Sequence, residues 1–269
     1  MTYRLIATDI DGTLLNESHE VTPRTRQAVA ELQRRGVTLV LTTARPPRAI
    51  RHIYDDLGLN GPVIAYNGAL VYDPAHDRPL LHHPIHQEAA LAIVAAIRAA
   101  APELNLGLEL MDEWHVDRVD EHLQWILDTN RVAAPIFGDV ARAIETTRRK
   151  VSKIYFLAPA HVRRAVEERL PPGVSVTSSG MDFVEIHAAG VDKGAALRAL
   201  GAILGIPREA TLALGDGEND IPLLQAAGLS VAMGNAAETV RRAAGAVTEP
   251  NTAEGWARAI ERYVLAVGE

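Results

Sequence analysis

The sequence contains no cysteine. That excludes a disulfide framework, a thiolate zinc site and a cysteine nucleophile, and with them redox chemistry carried by thiols. Positive charge is also short: 27 Lys and Arg stand against 34 Asp and Glu, a formal net charge of -7. Chains that grip a nucleic-acid backbone usually show the opposite balance, so no nucleic-acid partner is expected. Long apolar runs are missing as well. The longest, residues 89–97, is alanine-rich and well under the roughly 20 residues of a membrane-spanning helix. Asp9 and Asp11 interrupt the apolar opening and no small-residue cleavage site follows, so this stretch reads as a strand and not as a signal peptide. The expectation is a cytoplasmic protein with no membrane partner, a monomer or weak homodimer that acts on a small molecule.

What is present is an ordinary globular composition, 48% hydrophobic and 23% charged over 269 residues, enough to bury one large α/β core or two modest ones. The first quarter alternates strand and helix patterns. Leu5-Ile6-Ala7 is followed by a helix opened by Thr22-Pro23 and closed by Gly36, and then by an apolar run at residues 37–41. A helix over 47–57 leads into another apolar run at 62–66, so parallel strands with crossover helices are implied. Asn67-Gly68 between two apolar runs signals a tight hairpin and breaks that pattern. Longer helices and separate strands occupy 80–188, with strands expected at 104–110, 153–157, 174–177 and 182–187. From Lys193 the alternation resumes, with a helix to Leu204, a strand at 211–214, a helix from about Asn219 and a strand at 229–232. The predicted architecture is a Rossmann-like α/β parallel-sheet core, residues 1–79 and 189–269, carrying an inserted α+β domain over 80–188.

Polar residues gather where the apolar strands run out, which in an open parallel sheet is the edge where ligands bind. Asp9 and Asp11, two apart, precede Gly12-Thr13. Gly215-Asp216-Gly217-Glu218-Asn219-Asp220 follows Leu212-Ala213-Leu214 and opens a helix, so Asp216 and Asp220 can converge there. Either cluster alone could be a solvated strand end or a helix cap. Carboxylates brought together repel, and a hard divalent cation relieves them; magnesium suits a few carboxylates plus water and phosphate, although calcium could use the same ligands. Thr43 after the second strand and Lys193 before a helix add a hydroxyl and an ammonium suited to phosphoryl oxygens.

Five segments in this order resemble the haloacid dehalogenase superfamily of phosphatases, in its Cof-type branch with a large C2-type cap: Asp9-Ile10-Asp11-Gly12-Thr13-Leu14-Leu15, Thr43-Ala44-Arg45-Pro46, Tyr66-Asn67-Gly68-Ala69, Asp192-Lys193-Gly194 and Gly215-Asp216-Gly217-Glu218-Asn219-Asp220. Ala44 stands where the family usually has Gly. The resemblance implies a Mg2+-dependent phosphatase of small phosphorylated metabolites, sugar phosphates foremost. Asp9 is then the nucleophile that forms an aspartyl-phosphate, and Asp11 the general acid and base. Asp9, Asp216 and the Asp11 carbonyl would hold the metal, with Asn219 and Asp220 close by. Thr43 and Lys193 would bind the phosphoryl group, while Arg45 and Asn67 could contact phosphate or leaving group. A phosphomutase with the same aspartate chemistry, or a non-catalytic sugar-phosphate-binding regulator, are the rival readings.

The resemblance makes 80–188 a cap that closes over the site and sets specificity. Asp182 and Glu185 are polar there, but solvated strand positions explain them equally well. His76, His82, His83 and His86 crowd its entry, and a zinc or nickel site or a loosely ordered exposed connection could account for them. Trp114 and Trp125, with Ile126 and Leu127, read as core, and Arg148-Arg149-Lys150 as a solvated helix end.

Overall fold

The computed structural model describes residues 3–266 apart from 122, 125, 126, 128–132, 180 and 181, so Trp125 and Ile126 lie outside the described residues. The chain forms two compact units, Met1–Leu81 with Asp192–Glu269 and, between them in sequence, His82–Val191.

The first unit opens with β1 (Leu5–Asp9), α1 (Pro23–Arg34), β2 (Thr38–Thr42), α2 (Pro47–Asp56), β3 (Val63–Ala65), β4 (Leu70–Asp73) and β5 (Arg78–His82). The second carries α3 (Gln87–Ala100), β6 (Gly107–Leu110), β7 (Glu113–Val116), β8 (Ile136–Phe137), α4 (Val140–Thr146), β9 (Val151–Leu157), α5 (Ala160–Glu167), β10 (Val174–Ser179) and β11 (Phe183–Ala188). The chain then completes the first unit with α6 (Lys193–Leu204), β12 (Thr211–Gly215), α7 (Ile221–Ala226), β13 (Leu229–Ala232), α8 (Glu238–Ala243), β14 (Ala246–Val247) and α9 (Gly255–Ile260).

The first unit is built on an eight-stranded sheet in the order β14-β13-β12-β1-β2-β3-β4-β5. β1 lies at its centre, parallel to both β12 and β2. Every residue of β1 and β12 is buried, as continuous apolar runs must be when helices cover both faces of a parallel sheet. Helix starts follow the caps: Thr22 accepts from the Thr25 N–H ahead of Pro23, and Asp192 accepts from the Ala195 N–H at 2.6 Å. Gly36 and Gly205 close α1 and α6 at φ of 70° and 62°, a conformation that favours glycine. One sheet face, with Leu5, Ala7, Val40, Ile64 and Ala213, packs against Leu197 and Leu200 of α6 and Leu223 and Leu224 of α7.

The expected two-residue hairpin is longer than the Asn-Gly signal implies. β3 and β4 are antiparallel, with Ala65 opposite Leu70, so residues 66–69 form the connection, and Tyr66, Asn67 and Gly68 all have positive φ. Gly68 is seated on the start of α6, where a Cβ would lie 2.3 Å from the Asp192 carbonyl oxygen. Helix α7 begins at Ile221 because residues 218–220 form a separate 3-10 turn ahead of it.

The second unit has a six-stranded sheet, β10-β11-β9-β6-β7-β8, antiparallel except for the β7–β8 pair. Its apolar face meets the helices through Ile93, Ile97, Ile144, Leu108, Ile154, Phe156, Val184 and Ile186. β6 starts later than residue 104 because the preceding backbone bonds elsewhere: the Leu106 N–H donates to the Asp117 carboxylate instead of to a ladder partner. Leu127 joins the small cluster of Trp114, Val116 and Leu123.

The opposite face carries a row of buried polar groups. Glu109, Lys153, Glu185 and His187 are all at most 4% exposed, and the Lys153 ammonium donates to Glu185 at 2.5 Å. Glu185 is therefore not a solvated strand position, whereas Asp182 is exposed. The Ser152 backbone lies beside His187, yet among the described residues neither ring nitrogen completes a hydrogen bond of good geometry. Burial, opposed by Glu185 and reinforced by Lys153, pulls the His187 pKa down to about 4. A histidine neutral when folded stabilises fully above its unfolded pKa, near 6.5, and that contribution is lost as pH falls from there to about 4, because the unfolded chain takes up the proton. The loss amounts to up to about 3 kcal/mol. Thermal melts between pH 7 and 4.5 should therefore fall less steeply for His187→Gln than for the unsubstituted chain. Equal slopes would show that His187 does not carry the acid sensitivity.

Candidate active site

The carboxyl ends of β1, β2, β3 and β12 lie side by side and deliver the polar segments to one edge. Asp9 ends β1, opposite Thr42 of β2 in the register. The Asp9 backbone is braced from inside: the Trp256 indole N–H donates to Thr8 Oγ1 at 2.9 Å, and that hydroxyl donates to the Asp9 carbonyl at 2.8 Å.

Lys193, the first residue of α6, is fully buried. Its ammonium donates to Asp9 Oδ1 and Asp220 Oδ1, each at 2.6 Å. Asp220 accepts on its other oxygen from the backbone N–H groups of Asp216 and Gly217, at 3.1 and 2.9 Å, so it pins the turn after β12 as well as the ammonium. Asp216 Oδ1 accepts from the Thr13 hydroxyl at 2.6 Å. Gly12 is required here: it has φ +77°, and a Cβ would sit 2.3 Å from Asp216 Oδ2.

Oxygens of Asp9, Asp216 and Asp220 all lie within 4.8 Å of one another, and among the described residues this is the one cluster of three or more such side chains able to hold a metal ion. Burial and the neighbouring Asp220 push Asp9 well above the usual carboxylate range, with Lys193 opposing. Burial pushes Asp216 up to about 6, opposed by the Thr13 hydrogen bond and reinforced by Asp220. Burial acts against the charged form of Lys193, but Asp220 and Asp9 outweigh it and hold its pKa above the ordinary value. Three carboxylates around one ammonium leave two negative charges uncompensated when all are ionised. A hard divalent cation with oxygen ligands fits that donor set and that balance.

Thr43 is buried just beyond β2. Its Oγ1 accepts from the Arg45 backbone N–H at 3.0 Å, which leaves the hydroxyl proton to donate elsewhere. The Thr43 carbonyl accepts from Asn67, and Asn67 Oδ1 accepts from the Asn219 side chain at 3.0 Å, so three strand ends are tied together. Arg45 and Asp11 are joined to each other by a hydrogen-bonded ion pair, and His19 Nδ1 lies 3.7 Å from the same carboxylate oxygen. Two histidines of the His76–His86 stretch are engaged separately: His76 pairs with Asp73 at 2.8 Å, and His82 Nε2 lies 3.0 Å from Ser152 Oγ. Arg148, Arg149 and Lys150 are exposed, with Arg149 Nε 2.9 Å from Glu113. The sequence placed Thr13 in the first matching segment without showing that it bonds Asp216, and nothing in it marked Trp256 as a partner of the site, since each bonds a residue more than 200 positions away.

Residues 6–260 match the family model described as haloacid dehalogenase-like hydrolase. The chain belongs to the haloacid dehalogenase-like hydrolases. It is a phosphatase of that family, with the family's Rossmann-like core. A 5-amino-6-(5-phospho-D-ribitylamino)uracil phosphatase of Bacillus subtilis (strain 168) is 30% identical over 268 residues, covering 97% of this chain and 96% of the relative. A pyridoxal phosphate phosphatase of Escherichia coli (strain K12) is 31% identical over 282 residues, 98% of this chain and all of that one. The crystal structure of a haloacid dehalogenase-like hydrolase from Bacteroides thetaiotaomicron superposes with a TM-score of 0.87 at 30% identity, covering 97% of this chain and 99% of that chain. No helix among the described residues is long and apolar enough to cross a membrane.

Proposed function

We propose that this chain is a magnesium-dependent phosphatase of small phosphate monoesters, sugar phosphates foremost, working by phosphoryl transfer to Asp9. The observation that carries this reading is the convergence of the Asp9, Asp216 and Asp220 carboxylates on one another, with the buried ammonium of Lys193 held between Asp9 and Asp220. The Asp9 and Asp216 carboxylates and the Asp11 carbonyl would hold Mg2+, with Asn219 and Asp220 close by. Bound there, the ion supplies positive charge that draws the phosphate in and offsets charge in the transition state.

Lys193 engages Asp9 Oδ1, which leaves Oδ2 to attack phosphorus. The ester P–O bond breaks as the Asp9–phosphorus bond forms, and the leaving alkoxide takes a proton from Asp11. Water then attacks the aspartyl-phosphate, Asp11 accepts the proton, and inorganic phosphate and free Asp9 result. Arg45 holds Asp11 Oδ1, so Oδ2 is the oxygen that exchanges the proton. An ammonium has three donors and Lys193 spends two on carboxylates; the third, with the Thr43 hydroxyl, serves the phosphoryl oxygens. His82–Val191 is proposed as the unit that chooses the leaving group. The two phosphatases above are about equally similar to this chain and named for different substrates, so the substrate class here stays at small phosphomonoesters.

The test is a panel of sugar phosphates, phosphoglycolate, pyridoxal phosphate and nucleotides, assayed for phosphate release with Mg2+ and again with chelator. Release from at least one ester, abolished by chelator and restored by Mg2+, is expected. No metal-dependent release from any of them would overturn the reading.

A further inference from the structure

The loop after β13 reaches the acidic cluster from a side that neither the Asp9 nor the Asp216 segment supplies. Asn235 Nδ2 donates to the Gly12 carbonyl at 2.9 Å and lies 3.4 Å from Asp216 Oδ2. One amide therefore touches both segments that carry metal-binding carboxylates. At its other end, Asn235 Oδ1 accepts from the Asn251 backbone N–H at 3.0 Å, and Asn251 Nδ2 donates to the Leu15 carbonyl at 3.0 Å. The carbonyl at one end and the N–H at the other allow a single orientation of the Asn235 amide. The backbone beside it is held too, since Gly234 donates to the Glu249 carbonyl and its own carbonyl accepts from Arg241. With Thr13 on Oδ1 and Asn235 facing Oδ2, Asp216 is gripped at both oxygens although it is only half-buried.

We propose that Asn235 is a positioning residue for the metal site, and that Asn251 acts through it; this rests on the metal reading given above. Asn235 sets the separation between the Asp9–Gly12 segment and the Asp216 carboxylate before any ion arrives. Without it, repulsion from Asp9 and Asp220 turns Asp216 toward solvent, and drawing it back takes free energy from metal binding. The amide is suited to this task because it donates to two oxygens and adds no charge of its own.

The test is calorimetric titration of Mg2+ into the full chain without substrate, alongside phosphate release at saturating metal and thermal melts in chelator. Asn235→Ala should weaken Mg2+ binding about 10-fold or more, the scale found for groups that orient metal ligands. KM for the ester at saturating Mg2+ should stay within about 2-fold, since Asn235 touches no part of the proposed phosphoryl site. Asn251→Ala keeps its N–H but lets go of Leu15, and should weaken binding by a smaller factor. Because Asn251 acts through Asn235, the double variant should bind Mg2+ no worse than Asn235→Ala.

Mg2+ affinity of Asn235→Ala within about 2-fold of the unsubstituted chain would overturn the proposal. So would full additivity of the two substitutions, or a large drop in melting temperature in chelator with affinity unchanged. An unsubstituted chain that binds Mg2+ but hydrolyses no ester would overturn the proposed function alone, since the titration still reads the brace. A chain that binds no Mg2+ would overturn both.

Discussion

Asp9→Asn is expected to cut phosphate release by roughly 10^4-fold or more, the scale on which removal of an attacking group is felt. The substitution is isosteric and keeps an oxygen able to accept from Lys193, so the loss is one of nucleophilicity and not of shape. The fold should not suffer. Asp9 is a buried carboxylate beside Asp220 whose pKa is pushed up by both, so replacing it with a neutral amide relieves repulsion in the metal-free protein. Melting in chelator should occur at the same temperature as for the unsubstituted chain or higher, while the stabilisation conferred by Mg2+ shrinks. A folded variant that releases phosphate at the original rate would remove Asp9 from the nucleophile's role.

Lys193→Met should cost both activity and stability. The ammonium is fully buried between Asp9 and Asp220, and its removal leaves two buried carboxylates without their counter-charge. Breaking a buried pair in this way typically costs about 3–5 kcal/mol, because the abandoned charge stays desolvated. Methionine fills most of the space of the lysine stem, so little of the loss comes from packing. Turnover should fall on the order of 10^2–10^3-fold, the range seen when one donor to developing charge is removed. Two rescues distinguish charge from shape. Adding Asp9→Asn should recover part of the lost stability, making the pair strongly non-additive, and saturating Mg2+ should raise the melting temperature of Lys193→Met by mass action. A stable, fully active Lys193→Met would show that the ammonium neither neutralises the carboxylates nor binds the phosphoryl group.

Much of the first unit was legible because its local signals agree with one another. Parallel strands buried on both faces must be continuous apolar runs, which is why β1, β2, β12 and β13 stand out by eye. Helices α1 and α6 declare themselves through Thr22-Pro23 and Asp192 at one end and Gly36 and Gly205 at the other. β5, β7 and β8 carry no such signal: they are short, polar or mixed, and pairing with a neighbouring strand is what makes them strands. The Asn67-Gly68 turn was legible as a turn but not in its length, because its conformation is set by seating Gly68 against Asp192, 124 positions later.

The site divides in the same way. Asp9, Thr43 and Asp216 could be placed from the sequence because each ends or directly follows an apolar strand, and a parallel sheet carries all such positions to one edge. What each residue pairs with could not be read. Arg45 holds Asp11, Asp220 closes its own turn while holding Lys193, and Asn235 grips Gly12 and Asp216, though nothing beside these residues in sequence names the partner.

The sequence by itself determined which residues stand at the carboxyl edge of the central sheet, because strand periodicity and helix caps are local properties. Only the tertiary structure decided that Lys193 is fully buried, that three carboxylates share its neighbourhood, and that Asp9 and Asp216 bind their protons more tightly for it. Burial and charge depend on what the rest of the chain packs around a group. Lys193 and Asp9, 184 positions apart, become neighbours only when β1 and the start of α6 meet.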